Sequence, residues 1–279
     1  HQNAIPVFVD ADPKTYLIDV DKIEEKITAR TKAIMVVQLF GLPADMDAIH
    51  RIAKRHSLKV IEDGCQAYGS LYRGNKVGIL GDSAGFSMCT TKQLMVGEGG
   101  LMTTNNEGVY ERATTLRLFG EEGSVMKAKD RKYMSATLGW NYKIAETLSA
   151  LARIRLKHLD DYISGCQHNA KYLTKQLSAI DGVEPPYEPP NRKHTYYMYP
   201  VRVDPEKINL DIEAGHLRDA VVEALEAENV DVIRWQKAPV PAQPLFQSRN
   251  APGNGNPWRW IGSDVTYDLN DYPNSFKLL

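Results

Sequence analysis

The alternation of apolar strands with amphipathic helices constrains the fold of this chain more than any other feature. Residues 33–39 form a continuous apolar run, which is typical of a strand covered on both faces. Residues 45–56 carry apolar side chains at helical spacing, and a second apolar strand follows at residues 58–63. Further strands are predicted at residues 84–88 and 99–104. This order predicts an α/β fold with a mainly parallel central sheet flanked by helices.

Two longer helical stretches follow this sheet pattern. Residues 106–118 are predicted to form a helix that ends at Gly120, because glycine is a common stop signal. Residues 144–177 are predicted to form a long helical stretch with Ile144 and Leu148 on its apolar face. These helices complete the predicted large domain.

A proline-rich stretch at residues 184–190 marks the predicted domain boundary. Beyond it, strands at residues 196–203 and 230–234 are predicted on either side of a helix at residues 215–228, which is a small α+β unit. The chain starts at His1 without a methionine, and no terminal element is evident at its end, so we expect a fragment of a longer protein. The predicted domains are a large domain at residues 1–182, without its amino-terminal part, and an incomplete small domain at residues 183–279.

Composition excludes several classes of function. The net charge of −1 gives no electrostatic case for nucleic acid or for an anionic membrane. The three cysteines are scattered and odd in number, which fits a reducing compartment, and no run approaches the ~18 apolar residues of a spanning helix. His50 and His56 have the wrong spacing for two zinc ligands on one helical face. The sequence predicts a cytoplasmic protein with no metal site and no nucleic-acid or membrane partner.

Two stretches carry residue types with a specific chemistry. Ser87 lies at the end of an apolar strand, Lys92 follows five residues later, and a glycine-rich run comes next at residues 97–100. Upstream, Asp63 ends another apolar strand, and Gln66 follows it by three residues. A pyridoxal phosphate site needs a lysine that can form an imine and an acidic partner for the pyridinium nitrogen. Together, in this order, these residues predict a pyridoxal phosphate cofactor.

In order and spacing, these two stretches resemble the core of the DegT/DnrJ/EryC1/StrS family of sugar aminotransferases. The segment around Asn141 resembles the family's Gly-x-Asn-Tyr-Arg block, with Lys143 in place of the arginine. Additional segments resemble the family at residues 39–46 and 116–120, and the likeness runs from Pro6 to about residue 180. The resemblance implies the pyridoxal-phosphate-dependent transferase fold of type I, the fold of aspartate aminotransferase.

The resemblance also implies catalytic roles for two residues. Lys92 resembles the lysine that holds the cofactor as an internal aldimine, and Asp63 resembles the partner of the pyridine nitrogen, which keeps the ring protonated. Gln66 resembles the residue that reaches the phenolic oxygen or lies against the ring. The simpler alternatives are a solvated surface lysine, an aspartate N-cap and a polar residue in the first turn of a helix.

Three further residues have predicted binding roles. Ser87 resembles the hydroxyl that binds the cofactor phosphate, and Asn141 resembles a residue that contributes to the phosphate site of the neighbouring subunit. His194 lies where the family has substrate-lining residues, although a lone histidine is more typical of an interior or surface position. The alternatives for Ser87 and Asn141 are an ordinary buried serine and a helix N-cap. Cys65 and Cys89 flank the predicted site and are interpreted as small packing residues.

By resemblance, the function is transfer of an amino group from glutamate or glutamine to a keto-sugar, expected to be nucleotide-linked, or to a keto-cyclitol. The family's fold implies a homodimer with shared active sites. A sugar dehydratase with the same cofactor is an alternative, but Lys92 stands where a related dehydratase has histidine. The sequence also leaves open a non-catalytic regulatory family member and a truncated chain that does not bind the cofactor.

Overall fold

The computed structural model describes three segments of the chain, residues 3–121, 134–249 and 256–279. Its residues form two compact units. The terminal unit comprises His1–Thr31, Ala170–Glu188 and Tyr199–Leu279, and the sheet unit comprises Lys32–Asn169 and Pro189–Met198. The domain boundary predicted between residues 182 and 183 stays a prediction.

The elements follow the predicted alternation in the first half of the chain. The strands are β1 (Ala33–Val37), β2 (Lys59–Asp63), β3 (Leu71–Tyr72), β4 (Asn75–Lys76), β5 (Ser83–Ser87), β6 (Gly100–Thr104), β7 (Val183–Glu184), β8 (Arg192–Lys193) and β9 (Arg202–Val203). The helices are α1 (Met46–Arg55), α2 (Glu107–Arg117), α3 (Glu146–Lys157), α4 (Leu159–Leu177), α5 (Ala214–Ala227), α6 (Pro244–Ser248) and α7 (Pro273–Lys277). Short 3-10 turns occur at Val20–Lys22, Glu24–Lys26, Leu39–Gly41, Glu206–Ile208, Val240–Ala242 and Leu269–Asp271. None of the helices in these described segments is long and apolar enough to cross a membrane.

The main sheet of the sheet unit has the strand order β1-β2-β5-β6. β1 and β5 both pair parallel with β2, whereas β6 pairs antiparallel with β5. The sheet is therefore mixed, with two parallel pairs and one antiparallel edge pair. Because β2 and β5 run in the same direction, their carboxyl ends lie at the same edge of the sheet.

Side-chain capping explains where two of the predicted helices begin. The Asp45 carboxylate accepts the Ala48 N–H at 3.1 Å before α1, and the Asn106 side chain accepts the Val109 N–H at 3.0 Å before α2. After α2 the chain reverses at Gly120, whose φ of +74° favours glycine. The structure thus places these two helices within a residue or two of their predicted limits.

Several expected elements differ from the structure. The helical stretch predicted at residues 144–177 is divided into α3 and α4 by an unpredicted break at His158, after which α4 buries Leu159 and Ile163. The strand predicted at residues 196–203 is reduced to β9, and residues 230–234 have no regular structure. A short apolar run shows only that its side chains can be buried. It becomes a strand only where the fold supplies a neighbouring strand to pair with it.

β1 also differs from its prediction as a strand covered on both faces. Ile34 and Val36 are buried, whereas Met35 is 62% exposed and Val37 is 41% exposed. The alternation shows that, in the part of the chain that the structure describes, only one face of β1 is covered.

The core of the sheet unit lies on the covered face, around Phe86 of β5. The Phe86 ring packs against Tyr68, with ring centroids 4.9 Å apart. A Cβ at Gly64 would come within 2.6 Å of this ring, and a Cβ at Gly78 within 2.7 Å. The core cluster consists of Ala67, Tyr68, Val77, Ala84, Phe86, Met88, Leu94, Val96, Ala152, Leu159 and Ile163.

The terminal unit is held together partly by hydrogen bonds to the Asp10 carboxylate. Asp10 is only 3% exposed. Its carboxylate accepts the Asn274 N–H at 2.9 Å and the Ser275 hydroxyl at 2.6 Å. Burial alone would raise the pKa of Asp10, but hydrogen bonds from Ser275, Asn274 and Ala11 outweigh it and hold the pKa below 3.8. A group of this kind stabilises the fold fully above its unfolded pKa and loses that contribution as the pH falls through the lower folded value.

We therefore expect Asp10→Asn to lower the free energy of unfolding by about 1–3 kcal/mol at pH 7, because an uncharged amide cannot accept all of these bonds. The loss should shrink below about pH 4, where the Asp10 carboxylate of the unfolded chain is protonated first and that of the folded protein follows at lower pH. Urea unfolding at pH 7 and pH 3 measures both effects, with Asp211→Asn as an exposed control. An equal destabilisation at both pH values would contradict the role assigned to the Asp10 charge.

Candidate functional site

The site lies at the carboxyl ends of β2 and β5. Asp63 is the last residue of β2, Ser87 is the last residue of β5, and the Cα of Asp63 is in register with that of Gly85. Lys92 follows in a turn where its N–H donates to the Cys89 carbonyl at 3.0 Å. The strand ends thus carry a carboxylate and a hydroxyl, and the turn adds an amine. Such edges are where open α/β sheets bind ligands.

The Asp63 side chain is oriented by the backbone that follows it. Its Oδ1 accepts the Cys65 N–H at 3.0 Å, and its backbone carbonyl accepts the Gln38 N–H at 3.0 Å. The chain continues through turns and no helix begins after β2, so the N-cap alternative for Asp63 is wrong. The helical first-turn alternative for Gln66 is wrong for the same reason.

Gln66 holds a strained turn that precedes α1. Its Oε1 accepts the Phe40 N–H at 2.7 Å, and Phe40 has a φ of +57°. Gly41 follows with a φ of +96°, and a Cβ there would come within 2.5 Å of the Thr195 hydroxyl. This close approach, together with the Thr195 N–H bond to the Gly41 carbonyl at 3.0 Å, fixes a distant segment of the chain against the turn.

That distant segment brings an aromatic ring to the Lys92 amine. Tyr197 donates its N–H to the Phe40 carbonyl at 2.9 Å, and the Lys92 Nζ lies 4.9 Å from the centre of the Tyr197 ring. A distance of this size is within the range of cation–π attraction. Contacts therefore connect Gln66 to Phe40, Phe40 to Tyr197, and the Tyr197 ring to the Lys92 amine.

Two thiols lie beside this group. Burial, helped by the Asp63 carboxylate, raises the pKa of Cys65 to about 12, so its thiol stays protonated near neutral pH. Hydrogen bonds from Thr91 and Ser87 lower the pKa of Cys89. The positive charge of Lys92 lowers the pKa of both thiols, although this effect is smaller than the others named here.

Ser87 and Asn141 have different surroundings. The Ser87 Oγ accepts the Cys89 N–H at 3.3 Å, and its hydroxyl also bonds the Cys89 thiol, a contact that a rotation about the Cβ–Oγ bond would exchange for one to a ligand. Asn141 is exposed and pairs through its backbone with Leu118, on the segment after α2 rather than at the strand ends. It is not a helix N-cap, because Ala145 holds that position for α3.

His194 is buried in the sheet unit, with 2% of its surface exposed. Burial lowers its pKa to about 3, so the ring is neutral. Its Nδ1 accepts the Tyr196 N–H at 2.9 Å, and the two rings stack with centroids 4.0 Å apart. Its role as a substrate residue stays a prediction.

Sequence reasoning missed a buried carboxylate next to Asp63. Glu62 is 1% exposed, and its Oε1 accepts backbone N–H groups from Gly78, Leu80 and Gly81. Its Oε2 accepts a hydrogen bond from Gln38 at 3.0 Å. An acidic residue inside an apolar strand was the available signal. Among the described residues, no group of three or more His, Cys, Asp or Glu side chains is placed to hold a metal ion.

Comparison with known proteins identifies the fold and the family. The sequence profile of the DegT/DnrJ/EryC1/StrS aminotransferase family matches residues 1–258. The chain belongs to this family. The structure of DesV from S. venezuelae in complex with a ketimine intermediate aligns with a TM-score of 0.77 and 31% identity, over 89% of this chain and 62% of DesV.

Two curated relatives in the family carry enzyme names. The dTDP-3-amino-3,6-dideoxy-alpha-D-galactopyranose transaminase of Aneurinibacillus thermoaerophilus is 41% identical over 201 residues, which are 72% of this chain and 53% of the relative. GDP-perosamine synthase of Caulobacter vibrioides is 35% identical over 229 residues, 82% of this chain and 58% of the relative. The chain thus spans less than two thirds of the length of these relatives.

Membership of the DegT/DnrJ/EryC1/StrS family confirms the resemblance drawn from the sequence motifs. The predicted type I fold of pyridoxal-phosphate-dependent transferases is also confirmed, because the structural neighbours have that fold and the sheet unit has a mixed central sheet flanked by helices. The roles of Lys92, Asp63, Gln66, Ser87, Asn141 and His194 stay predictions.

Proposed function

We propose that this chain forms part of a pyridoxal-phosphate-dependent aminotransferase that moves an amino group from glutamate or glutamine to a nucleotide-linked keto-sugar or keto-cyclitol. The observation that carries the proposal is the placement of Asp63 and Ser87 at adjoining strand ends, with Lys92 in the turn that follows. The names of the transaminase and synthase relatives support a sugar substrate.

The side chains at this edge fit the cofactor by their chemistry. An amine, a carboxylate and a hydroxyl donor are the groups that the aldehyde carbon, the pyridine nitrogen and the phosphate of pyridoxal phosphate require. Lys92, Asp63 and Ser87 supply these three groups, and Gln66 adds an amide anchored to the neighbouring turn. When bound, the cofactor supplies an electron sink for the negative charge that develops at the α-carbon of the amino donor.

The protein's own groups would perform the proton transfers. The neutral Lys92 amine would take the proton from the donor's α-carbon, and the resulting ammonium would deliver it to C4′, the carbon that carries the aldehyde in the free cofactor. The Tyr197 ring beside the Lys92 Nζ would hold the ammonium form within the site by cation–π attraction. The Asp63 carboxylate, fixed by the Cys65 N–H, would keep the pyridine nitrogen protonated.

A homodimer and a cytoplasmic location are part of the same proposal. Asn141 is exposed, as a residue serving the phosphate site of a neighbouring subunit would be. Three free cysteines support a reducing compartment.

A spectroscopic titration tests the proposal. Purified protein with added pyridoxal phosphate should develop an absorption band that borohydride makes permanent, and peptide mass analysis should find the reduced adduct on Lys92. Adding glutamate or glutamine before borohydride should bleach the band, and the amino acid that bleaches it is the donor. The proposal fails if the adduct forms only on exposed lysines such as Lys54, or if the band forms on Lys92 but no amino acid bleaches it. The second of these outcomes would favour a dehydratase or a regulatory protein.

A further inference from the structure

The side chain directly after Lys92 is a buried amide that has no hydrogen-bond partner in the described part of the chain. Gln93 is 9% exposed. Neither its Oε1 nor its Nε2 has a hydrogen-bond partner among residues 3–121, 134–249 and 256–279. Its other neighbour, Leu94, is 2% exposed and belongs to the core cluster of the sheet unit. Gln93 therefore lies between Lys92 and a residue of the core cluster.

The same unit shows how this chain normally treats a buried glutamine. Gln38 is 0% exposed, and both ends of its amide are bonded. Its Oε1 accepts the Ala44 N–H at 2.7 Å, and its Nε2 donates to Glu62 at 3.0 Å. The two glutamines are thus similarly buried, but both amide atoms of Gln38 have hydrogen-bond partners, whereas those of Gln93 have none among the described residues.

An amide withdrawn from water without a partner destabilises the folded state. A methionine or leucine at position 93 would fill similar space without that penalty. The retained glutamine is explained if a polar group from outside the polypeptide completes its hydrogen bonds when the site is filled. The backbone of the turn carrying Gln93 is fixed by the Lys92 N–H bond to the Cys89 carbonyl and by the bridge between Cys89 and Gly97, so a ligand would not have to order this backbone on binding.

We infer that Gln93 is a ligand-binding residue of the site beside Lys92, and that its carboxamide hydrogen-bonds to a small molecule rich in hydroxyl and phosphate oxygens. An amide both donates and accepts, which suits such a ligand. The inference rests on the proposed function, under which two molecules of this chemistry enter the site: the phosphorylated cofactor and the sugar acceptor. It assigns a role to a residue that the motif around Lys92 does not explain.

The first arm of the test compares Gln93→Met with Gln38→Met in the 279-residue chain without any ligand. Gln93→Met should raise the midpoint of thermal unfolding by about 2–4 °C, because it removes an unpaired amide. Gln38→Met should lower the midpoint, because it leaves the Ala44 N–H unpaired and removes a donor to Glu62. Gln93→Leu repeats the first change if the methionine variant folds poorly. Loss of stability in both Gln93 variants would overturn the inference.

The second arm measures binding of two probes, pyridoxal phosphate alone and then dTDP-glucose added to the loaded protein. Gln93→Met should weaken one of them about tenfold, since an unpaired ligand oxygen is left behind. Weaker binding of pyridoxal phosphate would identify the cofactor as the hydrogen-bond partner of Gln93. Weaker binding of dTDP-glucose alone would identify the sugar acceptor as that partner. Unchanged binding of both probes would overturn the inference, because a buried water or a structural role would then explain Gln93.

Failure of this inference can be distinguished from failure of the proposed function. The proposed function fails if wild-type protein forms no borohydride-stable adduct on Lys92. The inference fails alone if wild-type protein forms that adduct and Gln93→Met binds both probes as the wild type does.

Discussion

Replacing Lys92 with alanine is expected to lower amino-group transfer by about a thousandfold or more. The substitution removes the amine that would bind the cofactor and would move the proton at the donor's α-carbon. It leaves the strand ends of β2 and β5 unchanged, so Asp63 and Ser87 should still bind pyridoxal phosphate without a covalent link. The measurement is the rate at which the donor identified by bleaching converts the bound cofactor, followed by absorption.

Lys76→Ala is the matched control for this experiment. Lys76 is an exposed lysine on β4 in the same unit and is not among the predicted site residues, so its loss should leave the rate unchanged. A Lys92→Ala protein that kept the wild-type rate and still gave a borohydride-stable adduct would show that another amine serves the reaction.

Glu62→Gln is expected to lower the free energy of unfolding by about 2–4 kcal/mol. In the wild type, one carboxylate oxygen accepts N–H groups from Gly78, Leu80 and Gly81 at 2.8–3.2 Å, and the other accepts from Gln38. A glutamine has only one acceptor oxygen. Its NH₂ group would face either the three backbone donors or the Gln38 amide, and a donor would oppose a donor in both cases.

Urea unfolding of the wild type and Glu62→Gln measures this loss, and Glu25→Gln is a suitable control because Glu25 is exposed. Surface exchanges of this kind usually change stability by less than about 0.5 kcal/mol. A similarly small change in Glu62→Gln would mean that the loop at Gly78–Gly81 does not depend on the charge of Glu62.

The sequence could predict elements whose signals are local. Asp45 and Asn106 begin α1 and α2 because their side chains cap the backbone within three residues. The break at His158 and the loss of the strand at residues 230–234 depend on what packs against those segments, and a single sequence does not contain that information.

The candidate site divides in the same way. Lys92 and Asp63 could be found because each follows an apolar strand at a motif spacing. Glu62 differs from Asp63 by one position, yet the pleat of β2 turns its side chain to the covered face, where the N–H groups of a later loop surround it. Tyr197 lies more than a hundred residues from Lys92, and only the fold brings its ring to the amine.

The path of the chain has a consequence for how such proteins can be recombined. Residues 189–198 belong to the sheet unit although both flanking segments belong to the terminal unit, and β8 in this stretch pairs with β3. A crossover between two related genes at any point from α4 to this stretch would join the residue at position 92 of one parent to the residue at position 197 of the other. The two sides of this contact would therefore come from different parents. A hybrid protein retains the contact only if it has a lysine at position 92 and an aromatic residue at position 197.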